Sequence, residues 1–409
     1  MAKLLIIGYV WVEKTTGAGN RMFQLLELFL KEGYTITFAS PAQKTENSLD
    51  LNILGIEEVS IELNNTSFDE FVSNLQPDIV LFDRFMMEEQ FGWRVAENSP
   101  HSLRILDTED LHFLRKVRHQ QIKKGEKFTK EALLNSDQAK REIASILRCD
   151  VSLIISSYEM KLLQEVFKVD KNVLCHLPFL LEGINEETIQ SWSTFEKRKH
   201  FVFIGNFFHA PNVDAALQLK LVWNILRKKL PNAEMHIYGA YVTQQIRDLH
   251  KPQERFIVKG FAKKAEEVVQ KARVVLAPIR FGAGIKGKLT EAMLCGTPSV
   301  TTKLGAEGMH DEQPWNGFIE DDIDRFADAA VELYSDKTMW KKAQRNGIDI
   351  INKLYDKKEL SEPFIARITH IKNNIAMHRT QNFYGNLLQY QTLQATKYMS
   401  KWIEEKNKN

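Results

Sequence analysis

The sequence predicts an α/β protein of two domains, each a mainly parallel sheet flanked by helices, and three observations predict it. Apolar runs of strand length alternate with stretches of helical periodicity, the pattern of repeated βαβ units. That rhythm stops once, across 182–199 (EGINEETIQSWSTFEKRK), a polar stretch without strand character, and then restarts. The length, 409 residues, also exceeds what one hydrophobic core comfortably organises. The expected boundaries are a first domain at 1–182, a linker at 183–199, a second domain at 200–355 and a strandless helical tail at 356–409.

LLIIGYV reads as a buried first strand. TTGAGN then opens a helix with Met22, Leu25, Leu26, Phe29 and Leu30 on one face and a stop near Gly33. TITFAS, DIVLFD, SLRILD and VSLIISS follow as strands, each ending in small or polar residues where open α/β sheets collect ligands. The second domain runs HFVFIGNF, a helix from about Asn212 to Leu230, then AEMHIYG, RFIVKGF, VVLAPI and PSVTT. Two such domains on a polar hinge imply a cleft between them. The tail ends in YQTLQATKYMSKWIEEKNKN, which mixes aromatic with charged residues and is expected to pack back on the body as a long amphipathic helix.

Composition excludes several functions. Lys plus Arg (55) nearly balances Asp plus Glu (53), which gives no electrostatic footprint for nucleic acid. MAKLLIIGYV is too short an apolar run for a signal peptide, and no run approaches the roughly 18 apolar residues of a membrane span. Cys149, Cys175 and Cys295 are odd in number and far apart, so neither a disulfide framework nor a zinc site is expected, and a cytoplasmic location is.

The informative segment is RVVLAPIRFGAGIKGKLTEAMLCGTPSV, residues 273–300. Gly282, Gly287 and Lys288 match G-x4-G-K of a P-loop, but Leu289 stands where a hydroxyl must hold magnesium. Gly282, Gly284 and Gly287 match the dinucleotide fingerprint, with Glu307 lying 20 residues beyond Gly287. That fingerprint belongs on the first strand of a domain, and here it follows the fourth. A third reading uses every residue: amides at a helix start, with Lys286 and Lys288, bind a diphosphate. Glu291, one turn on, accepts from the two hydroxyls of a ribose.

APIRFGAGIKGKLTEAMLCGTPSVTTKLGAEG, preceded by FVFIGNFFHAPNVDAAL, resembles the retaining glycosyltransferases of family 4 (group 1), which have the GT-B fold. GAGNR and DTEDLH in the first half match the general layout more loosely. The resemblance implies two Rossmann-like domains facing a cleft, the second holding the nucleotide-sugar donor and the first the acceptor. It implies transfer with retention of configuration, with no bound metal and no cofactor; the donor, UDP- or GDP-linked, is a substrate. Charge developing on the leaving diphosphate is met by lysines and a helix N-terminus. Two departures stand out. The family's paired glutamates, E-x7-E, have Ala283 at the first position, so only Glu291 carries over. The family's Arg and Lys after the first donor-domain strand are absent, and GNFFHAPN offers Gly205, Asn206, His209 and Asn212 instead, which leaves the diphosphate to Lys286 and Lys288.

Other residues carry two readings each. Gly17 and Gly19 in TTGAGNR make either a tight turn needing positive φ or, with Arg21, an amide surface facing the leaving phosphate from the acceptor side. In DTEDLH, Asp107 and Asp110 fall at the edge of the site and the resemblance places His112 beside the donor sugar; the plainer reading is a helix capped by Asp107 or Thr108. Asp83 and Arg84 contact the acceptor or form a local ion pair. His209 is a phosphate ligand beside a capping Asn212, and Glu307 touches the donor or caps a helix. Asp322 and Asp324 spell D-x-D but open a helix, where acids suit the dipole. The basic run at 115–130 is a solvated helix face, or it attracts an anionic acceptor or the inner membrane surface.

The reading is therefore a glycosyltransferase acting on a glycan, polysaccharide or lipid-linked acceptor, cytoplasmic or peripheral at the inner membrane face. The alternatives are a catalytically weak GT-B scaffold and an NAD-dependent oxidoreductase.

Overall fold

The computed structural model describes residues 2–407; Met1, at the start of the first-strand reading, and residues 408–409, at the end of the tail reading, lie outside the described residues. The first sheet contains β1 (Lys3–Ile7), β2 (Thr35–Ser40), β3 (Glu57–Ser60), β4 (Ile79–Asp83), β5 (Leu103–Asp107), β6 (Val151–Ile154) and β7 (Leu174–His176), in the order β3-β2-β1-β4-β5-β6-β7. The second contains β8 (Lys199–Ile204), β9 (Met235–Tyr238), β10 (Phe256–Gly260), β11 (Ala272–Ala277), β12 (Ser299–Thr301) and β13 (Gly317–Ile319), in the order β10-β9-β8-β11-β12-β13. Every ladder between these strands is parallel. Central strands of such sheets are buried on both faces, which is why β4 and β5 are buried along their full length.

β3, β7 and β13, with the sequences EEVS, LCH and GFI, went unread in the sequence. All three are sheet edges, with one neighbour each and three or four residues, so they carry no apolar run to announce them. Strand order reverses between β1 and β4 in the first sheet and between β8 and β11 in the second. At such reversals the loops leaving the carboxyl ends diverge and open a ligand crevice.

Contacts divide the chain into two compact units. One comprises the chain up to Val117, Phe128–Leu180 and the chain from Glu359 onward; the other comprises Arg118–Lys127 and Leu181–Lys358. The core of the first unit gathers Leu4, Ile6, Phe29, Phe38, Leu81 and Ile105 with Phe364, Ile368 and Ile371 from the Lys357–Asn373 helix. Phe29 and Phe364 meet edge to face at 6.1 Å. The Gly17–Lys31 helix is capped by Thr16, whose hydroxyl accepts from the Gly19 amide at 2.9 Å. Neither Gly17 nor Gly19 has positive φ, so the tight-turn reading fails; Gly19 is required because a Cβ there would lie 1.8 Å from the Glu13 carbonyl oxygen.

The tail continues as helices Lys357–Asn373, Ile375–Gln381 and Phe383–Asn407. The last of these turns several polar side chains inward. Buried Arg94 donates to Asp69 at 2.6 Å and to the Ser400 hydroxyl at 3.1 Å, and pairs with Glu404. Lys397 pairs with Glu97, and the Gly385 backbone comes so close to the Leu147 carbonyl oxygen that a Cβ would lie 2.1 Å from it. Among the described residues no helix is long and apolar enough to cross a membrane. Arg94→Met would leave Asp69 and Glu404 without their counter-charge. The variant is expected to lose about 2–4 kcal/mol, read from urea unfolding midpoints, because breaking a buried pair strands the remaining charge. Wild-type stability in the variant would show that this guanidinium does not anchor the tail.

Candidate active site

In the second unit the reversal point lies between β8 and β11, and the loops leaving those strands are GNFFH and PIRFGAGIK. The glycine-rich loop follows the fourth strand in sequence but the first strand's neighbour in space, so it occupies the position a dinucleotide fingerprint would share. Gly282 has φ 151° and Gly284 φ 62°, conformations that L side chains rarely adopt. Gly287 opens the Gly287–Leu294 helix, and no side chain caps that end. The first amides of a helix have no partner within it, so this end offers N–H groups to an anion.

Lys288 is half-buried, and its Nζ donates to Asn212 Oδ1 at 2.8 Å. Asn212 in turn donates from Nδ2 to the Asn206 carbonyl at 2.8 Å, tying both loops to one ammonium group. Asn212 therefore is not the cap: the Ala210–Lys229 helix starts after His209, and Asn212 lies in its first turn. A Cβ on Gly205 would meet the Asn212 amide carbon at 2.8 Å, and one on Gly239 would meet the Gly205 carbonyl oxygen at 2.0 Å. Lys286 does not stand beside Lys288 as a second outward ammonium. It is buried, and its Nζ donates to the Gly284 carbonyl at 2.9 Å, inside its own loop.

Glu307 neither caps a helix by its side chain nor faces open space. Arg118 grips it through two parallel hydrogen bonds of 2.8 and 2.9 Å and also donates to the Gly282 carbonyl at 2.9 Å. His119, next along, stacks on Phe281 at 4.3 Å. The basic run at 115–130 is thus divided. Arg115 pairs with Asp110, Arg118 is buried, and Lys123, Lys124, Lys127 and Lys130 are exposed around Phe128. Asp322 caps the Ile323–Ser335 helix by accepting from the amides of Asp324 and Arg325.

In the first unit, Asp83 and Asp107 sit in register at the ends of β4 and β5. Arg21 and Asp107 lie within the interior, only 1% and 0% exposed, and pair at 2.8 Å. Arg21 also donates to the Leu177 carbonyl at 2.7 Å. Arg21, expected to face the leaving phosphate from the acceptor side, and Asp107, expected at the edge of the site, instead form a buried brace. Nor does Asp107 cap the His112–Lys124 helix. The amides of His112 and Phe113 donate to Glu142, at 3.1 and 2.9 Å, and that of Leu111 donates to Glu159. Asp83 accepts from the Tyr9 amide at 3.0 Å, and Arg84 lies 3.4 Å from Asp83. Asp110 is 3.5 Å from His112 Nε2, and the His112 ring meets Phe85 edge to face at 5.7 Å.

Glu109 was missed in the sequence. Burial, and next the Asp107 carboxylate, raise its pKa well above the usual carboxylate range, and its Oε1 is buried without a hydrogen-bond partner among the described residues. Glu109 and Arg84 also have positive φ, 63° and 73°, at the ends of adjacent strands. Backbone strain of this kind collects at functional sites. No residue spacing could have signalled it, since it arises where the ends of β4 and β5 meet Arg21 of the Gly17–Lys31 helix.

Burial lowers the Lys288 pKa to about 8, with Lys286 adding to the shift and Glu291 opposing it. Burial raises Glu291 to about 7, with Glu266 adding and Lys288 opposing. A carboxyl whose folded pKa is raised contributes stability that is complete below the unfolded value of 4.5 and is lost as pH rises through about 7. Glu291→Gln should therefore gain on the wild type as pH rises from 5 to 8.5, by roughly 2–3 kcal/mol after allowance for partial exposure. Urea titrations at the two pH values check it; an identical difference at both would show that Glu291 titrates normally.

Residues 198–336 match the model of the family described as glycosyl transferases group 1. No curated protein matches the chain in sequence. Among solved structures, a TarM variant from S. aureus in complex with fondaparinux, α-GlcNAc-glycerol and UDP is 12% identical, with a TM-score of 0.68 over 90% of this chain and 100% of that one. Sucrose-phosphate synthase from Thermosynechococcus elongatus is 14% identical, with a TM-score of 0.64 over 91% of this chain and 99% of that one. HepE from Anabaena, in complex with UDP and glucose, is 12% identical, with a TM-score of 0.63 over 90% of this chain and 100% of that one. The chain has the GT-B fold, and residues 198–336 of its second unit carry the group 1 pattern.

Proposed function

We propose that the protein is a retaining glycosyltransferase that moves a sugar from a UDP- or GDP-linked donor to a hydroxyl of a glycan, polysaccharide or lipid-linked acceptor. The observation that carries this reading is Lys288, fixed by Asn212 beside an uncapped helix start at the reversal point of the second sheet. All of these residues fall within the segment that matches group 1 glycosyl transferases. UDP in the TarM and HepE structures supports a uridine donor.

The proposed roles draw on the geometry of the loop and its neighbours. The amides at Gly284 and Gly287 and the Lys288 ammonium receive the diphosphate. The same groups meet the negative charge that grows on it as the glycosidic bond breaks. Lys286 holds Gly284 in its left-handed conformation and adds positive potential from behind the loop. Glu291 accepts from the ribose hydroxyls. Gly205 and His209 border the phosphates from the other loop, and Glu307, clamped by Arg118, fixes the carbonyl side of Gly282. We assign acceptor binding to the first unit through Asp83, Arg84 and Asp110, and contact with the transferred sugar to His112. The exposed lysines at 123–130 suit an anionic acceptor or the headgroups of the inner membrane face, which is where a lipid-linked acceptor is presented. Neither a covalent nucleophile nor a resident cofactor is required.

Lys288 strengthens its contact in the transition state, whereas Glu291 holds ribose equally before and during reaction. Lys288→Ala should therefore mainly lower kcat, and Glu291→Ala should mainly raise the donor KM. Hydrogen bonds to a charged group are worth about 1.5–3 kcal/mol, so the Glu291 effect should be roughly 10- to 150-fold. Unchanged donor kinetics in a folded Glu291→Ala variant would reject the loop as a nucleotide-sugar site. Turnover should also persist in EDTA, because Lys288 and the helix start answer the leaving charge; loss on chelation with rescue by manganese would assign that task to a metal.

A further inference from the structure

The Phe383–Asn407 helix places Gly385, Gln389, Ser400 and Glu404 against the first unit, beside half-buried Leu388 and Ile403. Its outward side carries Phe383, Tyr384, Leu387, Tyr390, Tyr398 and Trp402, of which Leu387 is 43% exposed and the other five 61–71%. At 100° per residue these six, with Gln391 and Ala395 between them, fall on one half of the helix. A monomer gains nothing by turning five aromatic rings to water.

We propose that this face is the two-fold interface of a homodimer in which the helix pairs antiparallel with its own copy. Two observations select a second copy as the occupant. Residues 383–396, FYGNLLQYQTLQAT, contain no charge, in a chain with 26% charged residues. A lipid surface or an oppositely charged partner is met by a charged rim, whereas a self-complementary face must avoid placing like charges together. Antiparallel pairing centred between Gln391 and Ala395 sets Tyr384 of one copy against Trp402 of the other, and Gln391 against Ala395, whose small side chain permits close approach. Finally, aromatic side chains carry about 150–250 Å² each, so these six with Met399 offer on the order of 800 Å² per copy. That is about the share each partner contributes to a stable interface of standard size.

Sedimentation of the full-length protein from about 1 to 100 μM checks the proposal. The wild type should be a dimer across the upper part of that range. Tyr398→Glu/Trp402→Glu should be monomeric with an unchanged circular dichroism spectrum and melting transition. Gln391→Cys/Ala395→Cys should form an interchain disulfide on mild oxidation, since the three native cysteines are buried. A wild type that stays monomeric at 100 μM would overturn the proposal whatever the variants do. So would a monomer that co-sediments with phosphatidylserine–phosphatidylcholine vesicles through Tyr398 and Trp402, which would make the face a lipid surface. A dimer that survives both glutamates would place the interface elsewhere.

Discussion

The hydrogen bond from Lys288 to Asn212 is the constraint on which the second unit's site depends. Holding an ammonium group half-buried requires an acceptor of fixed orientation, and Asn212 is oriented because its own Nδ2 is engaged by the Asn206 carbonyl. The Asn212 side chain fills the space where a Cβ on Gly205 would stand, so position 205 must be glycine. The Gly205 carbonyl then fills the space of a Cβ on Gly239. One polar contact thus dictates residue types on three consecutive segments of the sheet's carboxyl edge. Each of these glycine and asparagine requirements serves to keep the Lys288 ammonium in place.

Electrostatics in the two units are resolved differently. Lys288 and Glu291, three residues apart on one helix, are each displaced toward neutrality, to about 8 and about 7. Burial dominates both shifts, and the attraction between the two groups offsets only part of it. A diphosphate beside the lysine and hydroxyls beside the carboxylate would stabilise both charged forms together. The first unit instead crowds like charges. Asp83, Asp107 and Glu109 share one strand edge with Arg21 and Arg84, and the backbone at Arg84 and Glu109 is held in a left-handed conformation. Strain and like-charge crowding at one edge are a poor arrangement for stability alone.

Much of this was legible in the sequence because the chemistry is local. Central strands declare themselves by apolar runs, and the loop at 278–288 declares itself by glycines whose φ angles require them. What stayed hidden depends on partners distant in sequence. The edge strands β3, β7 and β13 lack an apolar run. Lys286 and Lys288 look equivalent as text, yet one folds onto the Gly284 carbonyl and the other reaches Asn212. Arg118 reads as one more charge in a basic run until Glu307 is seen opposite it. Arg21 and Asp107 read as site residues because each follows a strand or turn. Their mutual burial is settled across 86 residues of chain. The tail's aromatic content was legible, but its direction was not.

The first unit's core includes Phe364, Ile368 and Ile371, which are translated only after the whole second sheet. Its amino-terminal strands therefore leave the ribosome with part of their apolar covering missing. At typical synthesis rates of about 5–20 residues per second, that surface waits on the order of ten seconds or more for its last helix. Domains usually mature in order of synthesis, yet here the unit that starts first is completed last. Nascent chains truncated before Lys357 would hold a finished second sheet beside an unsealed first one, the species on which a chaperone would act.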